Sequence, residues 1–109
     1  MYKNHILSAL AKTQADGAQT LGNAGYEFLP DHQLQIELSA QPSAGTLKIE
    51  YRTPGATEYV EAVGSPVDLT VLNKATALRL DNVFVDSFRF TPADFDAAKT
   101  YNVIVASNE

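Results

Sequence analysis

Gly45-Thr-Leu-Lys-Ile-Glu-Tyr-Arg-Thr-Pro-Gly55 is the stretch that decides the fold. Leu47, Ile49 and Tyr51 alternate strictly with Lys48, Glu50 and Arg52. An extended chain therefore has one apolar and one charged face here, the period-two pattern of a half-buried strand. Thr53-Pro-Gly-Ala56 closes it: proline suits the first central position of a type II turn, and glycine the second, where φ is positive. Upstream, Leu34, Ile36 and Leu38 alternate with Gln35, Glu37 and Ser39 until Gln41-Pro-Ser-Ala-Gly45 interrupts the pattern. Residues 46 to 52 are expected to return as the hairpin partner of that strand.

Downstream, residues 57 to 63 read as a strand ended by Gly64-Ser-Pro66. Val67, Leu69 and Val71 alternate, as do Leu78 and Leu80 after a polar loop at Asn73-Lys-Ala-Thr76. In residues 83 to 90, Phe84, Phe88 and Phe90 share one parity and Val83 and Val85 the other, which requires burial on both faces or a change of phase near Asp86. The last strand, from Tyr101 to Ala106, sets Tyr101, Val103 and Val105 against Ile104. Thr91-Pro-Ala-Asp94 combines a hydroxyl cap, proline at a first helical position and an acid in the first turn, predicting one helical turn. About seven short strands at this spacing predict an all-β antiparallel sandwich, jelly-roll-like or Ig-like, over residues 33–109.

Residues 1–32 have a different texture, rich in Ala, Gly, Gln, Asn and Thr. Ile6, Leu7, Leu10 and Ala11 fit one helical face, whereas His5, Leu7, Ala9 and Ala11 alternate as a strand would. An extended arm ordered against a neighbouring subunit is the third reading, served by the small residues from Ala15 to Gly25. The expectation for this region is an N-terminal arm or short helix with a linker.

The chain has 109 residues, enough for one hydrophobic core, expected to be thin, but too short for two of ordinary size. Eight basic against thirteen acidic residues give a net charge of -5, which opposes attraction to nucleic acid or an anionic membrane. No cysteine is present, so disulfides, thiolate metal sites and thiol nucleophiles are excluded. The apolar stretch from Ile6 to Ala11 is too short to span a membrane and does not fit a secretory signal. Use without export through a signal peptide is the expectation.

Residue sets for catalysis are weak. His5 and His32 lack metal-ligand spacing, so no metal is expected, and Asp31-His32 reads as a structural pair. No Gly-x-Ser-x-Gly element or phosphate-cradling glycine loop occurs. Glu58 with Glu61, and Asp94 with Asp96, read as surface acids rather than a glycosidase pair. The expectation is a non-enzyme without cofactors. Tyr26, Tyr51, Tyr59 and Tyr101 are candidates for a carbohydrate platform, with core packing the plainer reading. Phe84, Val85 and Ile104 place apolar groups on presumed outer faces, and with Ile6, Leu7 and Leu10 they are the candidate interface residues.

From Gly45-Thr-Leu-Lys-Ile-Glu-Tyr-Arg through Glu58-Tyr-Val-Glu61, Pro66-Val-Asp-Leu-Thr70, Ala77-Leu-Arg-Leu80, Val85-Asp-Ser-Phe-Arg-Phe-Thr-Pro92 and Tyr101-Asn-Val-Ile-Val-Ala-Ser107, the chain resembles small virion proteins of tailed bacteriophages. The resemblance is one of strand order over residues 45 to 107. It implies a head-decoration or cement protein on the virion, bound to the major capsid protein or other virion proteins and often trimeric. Tyr101 to Asn108 also resembles a late strand of a fibronectin type III module, which implies adhesion. A receptor- or carbohydrate-binding module is the alternative function.

Overall fold

The computed structural model describes residues 4–71 and 75–109. Its strands are β1 (Asn4–Lys12), β2 (Gln19–Gly22), β3 (Asp31–Leu38), β4 (Thr46–Arg52), β5 (Val60–Glu61), β6 (Val67–Asp68), β7 (Ala75–Leu80), β8 (Ser87–Ala93) and β9 (Tyr101–Asn108). They form two antiparallel sheets, β1-β9-β3-β7 and β2-β8-β4-β5, with β6 also paired to β4. The pairings nest: β1 meets β9, β2 meets β8, β3 meets β7, and β4 meets β5 and β6. A chain doubled back on itself and then rolled into two sheets is a jelly roll, so the expected sandwich is present.

The core lies between the sheets and follows the alternation in the sequence. Leu34, Ile36, Val103 and Val105 face inward from one sheet, Leu47, Ile49, Phe88 and Phe90 from the other, all fully buried. Each such side chain contributes about 1.5–3 kcal/mol of apolar transfer. Leu69, Val85 and Phe95 enter from the connections and complete the same cluster.

Several expectations change. β3 and β4 are not a hairpin, since β3 pairs β7 and β9 while β4 pairs β5, β6 and β8 in the opposite sheet. Alternation shows which face of a strand is buried but not which strand lies beside it. The N-terminal segment is neither arm nor helix: β1 pairs β9 from Asn4 to Lys12, and β2 pairs β8. Leu7 and Leu21 pack against the core, which therefore begins within residues 1–32 rather than at residue 33. Among the described residues there, only a short 3-10 turn, Gln14–Asp16, is helical; Asp16 accepts from both the backbone N–H (2.8 Å) and the hydroxyl (3.1 Å) of Thr13.

Thr91-Pro-Ala-Asp94 is not a helical turn, because β8 continues through Ala93 with Pro92 buried opposite Leu47. The segment expected as a strand from 57 to 63 pairs only at Val60–Glu61, and Leu69–Val71 is a 3-10 turn. The polar loop placed at 73–76 falls partly outside the described residues, and Ala75 and Thr76 already belong to β7. Thr53-Pro-Gly-Ala56 turns as expected, with Ala56 N–H donating to Thr53 O at 2.9 Å and Gly55 at φ 88°.

Candidate functional site

The two sheets bury equivalent inner faces and differ on their outer ones. On β1-β9-β3-β7, register places Ile6, Ala106, Gln33 and Arg79 in one row and Ser8, Ile104, Gln35 and Ala77 in the next. Leu10, Asn102, Glu37 and Ala75 extend the same face. Arg79 and Glu37 are the only charges among these residues. Ile6 and Leu10 are 68% and 56% exposed. Both stand on β1, the outermost strand of its sheet. Edge strands are usually guarded by charge, and β1 carries none from Asn4 to Ala11 apart from the titratable His5.

The outer face of β4 and β8 is charged. Arg89 Nε donates to Glu50 Oε1 at 3.0 Å, and Arg52 Nε to Asp86 Oδ1 at 3.1 Å. The Tyr59 ring lies beneath both guanidiniums, at 4.1 Å from Arg89 and 5.1 Å from Arg52, and its hydroxyl is 2.7 Å from Ser87 Oγ. This cover leaves Glu50 only 8% exposed although it points outward. The hydrogen bond from Arg89 holds the Glu50 carboxyl below its usual range.

At one end of the sandwich, Phe28 and Phe84 meet edge to face at 5.3 Å, and His5 stacks on Tyr26 at 3.8 Å. His32, by contrast, is structural. Its ring is fully buried, Nε2 donates to Val83 O at 2.9 Å, and Nδ1 accepts from Ser107 Oγ at 2.7 Å. Burial pushes its pKa below the ordinary value.

Of the candidate interface residues, Ile6, Leu10 and Phe84 are exposed, and Ile104 is half-buried on the outer face of β1-β9-β3-β7. Leu7 faces the core. Val85 does not belong among them: it is fully buried, because the chain changes phase between Phe84 and Phe88. The tyrosines do not form one platform. Tyr101 is fully buried, and desolvation pushes its hydroxyl up to about 12. Tyr51 packs on the core, Tyr26 is occupied by His5, and Tyr59 by the two arginines. Sequence reasoning missed Phe28; an aromatic residue inside a turn-rich linker, followed by Leu-Pro, was the available signal.

No family model and no curated protein matches the sequence. Among solved structures the fold is similar to that of a family 29 carbohydrate-binding module, with a TM-score of 0.53 at 14% identity, covering 96% of this chain. This chain spans 65% of that one. It is also similar to the SPBc2 prophage-derived protein YomS, with a TM-score of 0.54 at 7% identity, covering 100% of this chain and 96% of the other. At these identities the likeness establishes the β-sandwich and nothing more.

Proposed function

We propose that this chain is a non-enzymatic structural protein of a tailed-bacteriophage virion, of the head-decoration or cement type, which stabilises the capsid by bridging its subunits. The observation that carries the reading is the outer face of β1-β9-β3-β7. On its four strands Ile6, Leu10, Ile104, Ala75, Ala77 and Ala106 share the face with Ser8, Gln33, Gln35 and Asn102, and its charges, Asp31, Glu37 and Arg79, stand on β3 and β7, away from β1 and β9. Interface centres are depleted of charge in this way, and two sheets of one protein with such different outer faces are explained when one meets a partner and the other meets water. The similarity in fold to a prophage-derived protein of nearly the same length supports it. Bridging acts by mass action: burying apolar surface only in the assembled shell stabilises the shell against the dissociated state.

The test is co-sedimentation with capsids lacking the protein, with its native mass measured by light scattering. Saturable binding by a trimer is expected. Ile6→Lys with Leu10→Lys, both on exposed positions, should abolish binding while the melting temperature stays within a few degrees. A wild-type protein that ignores capsids overturns the reading.

The charged face favours a second one. Arg52 and Arg89, whose side chains are 33% and 37% exposed, present planar donors backed by the Tyr59 ring on one sheet face, a surface that a glycan's hydroxyls could engage, and a family 29 carbohydrate-binding module shares the fold. A glycan array bound selectively by the wild type and not by a folded Tyr59→Ala protein would favour this reading over the capsid one.

A further inference from the structure

The two ends of the sandwich differ in a way neither outer face explains. Register brings the connections 23–30, 53–59 and 81–86 to one end, where β3 begins opposite the end of β7 and β2 ends opposite the start of β8. These loops carry Tyr26, Phe28, Tyr59 and Phe84. Connections 13–18, 39–45 and 94–100, at the opposite end, hold one aromatic residue, Phe95, and it is buried. Phe28 and Phe84 are 68% and 45% exposed.

Hydrogen bonds hold this end rigid. Asn23 donates its backbone N–H to Asp86 O at 2.8 Å and its side-chain Nδ2 to Val85 O at 2.9 Å, while Val83 N–H donates to Pro30 O at 3.0 Å. Each exposed ring is followed by a buried residue, Leu29 or Val85, which fixes the backbone that carries it. Rings held this way lose little conformational freedom when they dock, so contact area converts efficiently into affinity.

Shape and charge identify what they dock into. The rings meet at an interplanar angle of 74°, so together they form a wedge, not the flat platform on which a sugar ring stacks. A wedge fits an apolar pocket in a protein. Around it, Asp81 and Asp86 are paired with Arg79 and Arg52, while Glu27 and Asp31 have no ion-pair partner among the described residues. The surroundings are acidic, and the complementary pocket has a basic rim.

We infer that the Phe28–Phe84 pair is a preformed knob that inserts into an apolar, basic-rimmed pocket of the capsid protein. The inference rests on the virion reading and gives it a second contact, since a protein that bridges subunits needs more than one.

Capsids lacking the protein serve as the probe, with binding isotherms measured at low and high salt for the wild type, Phe28→Ala, Phe84→Ala, the double variant and Glu27→Lys. Central aromatic anchors dominate interfaces, so each alanine should weaken binding by about tenfold or more. Glu27→Lys should weaken it at low salt, with the difference fading at high salt. Phe28→Asp, at the more exposed ring, gives the same readout should the double variant unfold. A folded double variant, or a folded Phe28→Asp protein, that binds like the wild type overturns the knob and leaves the virion reading standing. A wild type that does not bind overturns both.

Discussion

Replacing His32 should cost more than any surface change and should remove a pH dependence along with the stability. The ring is fully buried and packs edge to face on Phe88 at 5.5 Å, while its two nitrogens join β3 to Ser107 of β9 and to Val83 in the loop that carries Phe84. Two hydrogen bonds at about 1 kcal/mol each and about 1.5–3 kcal/mol for the buried ring give roughly 3–5 kcal/mol for His32→Ala. A domain of this size has about 5–15 kcal/mol to lose. The sign of the pH effect follows from burial, which lowers the folded-state pKa beneath the ordinary histidine value of 6.5. Above that value both states are neutral and pH does nothing. Below it the unfolded chain takes up a proton that the folded one excludes, so stability falls with pH by up to about 1.4 kcal/mol per unit until the folded-state pKa is reached.

Carboxylates do not mask this window. Asp16, Glu27, Glu50, Asp68 and Asp96 have lowered pKa values, and what they contribute is lost only as pH drops below their ordinary 3.8 to 4.5. Urea unfolding followed by far-ultraviolet circular dichroism, from about pH 8 to about pH 5, measures the effect in the wild type and in His32→Gln. A wild type of constant stability below pH 6.5, or a His32→Gln protein with the wild-type slope, would refute the reasoning.

Gly45→Ala should destabilise by several kcal/mol, because a Cβ there would stand 2.8 Å from Phe95 Cα while φ is +132°; overpacking costs about 1–3 kcal/mol and the backbone strain about as much again. Thermal melts check it, and a change within half a kcal/mol would contradict the geometry. Tyr59→Phe keeps the ring under Arg52 and Arg89 but loses the bond to Ser87, so it should cost about 1 kcal/mol, less than Tyr59→Ala in the same denaturation assay. Deleting residues 1–12 removes β1 and should leave a protein that no longer unfolds cooperatively, read by the loss of a sharp thermal transition.

The inner faces of β3, β4 and β9 were legible in the sequence, because Leu34, Ile36, Leu47, Ile49, Val103 and Val105 sit on strict two-residue alternations and only an extended chain buries such a set. Strand partners were not. Leu34 and Leu47 look alike in sequence yet come from opposite sheets, since nesting depends on connections that carry no periodicity. β1 escaped assignment for a related reason: as an edge strand with exposed Ile6 and Leu10, it has apolar residues on both faces, which blurs the period. Pro92 was misread as a helix start because a proline that faces the core at the end of a strand has the same local signature. Phe84 was legible as an exposed aromatic, but its neighbour Val85 showed its place only once the chain's turn near Asp86 was known.

The pairing of β1 with β9 sets the order in which this molecule comes into being. Among the described residues β1 has no other hydrogen-bonded strand neighbour, and His5 finds its partner at Ser107, 102 residues further along the chain. At roughly 5–20 residues per second, synthesis leaves β1 unpaired for about 5–20 s, with Ile6 and Leu10 exposed throughout. β9 also lies between β1 and β3, so the sheet lacks a central strand until residues 101–108 have been made. Folding of this sheet is therefore a long-range event, slow for its size, and copies made close together on one message are most prone to pair wrongly through β1 during that interval.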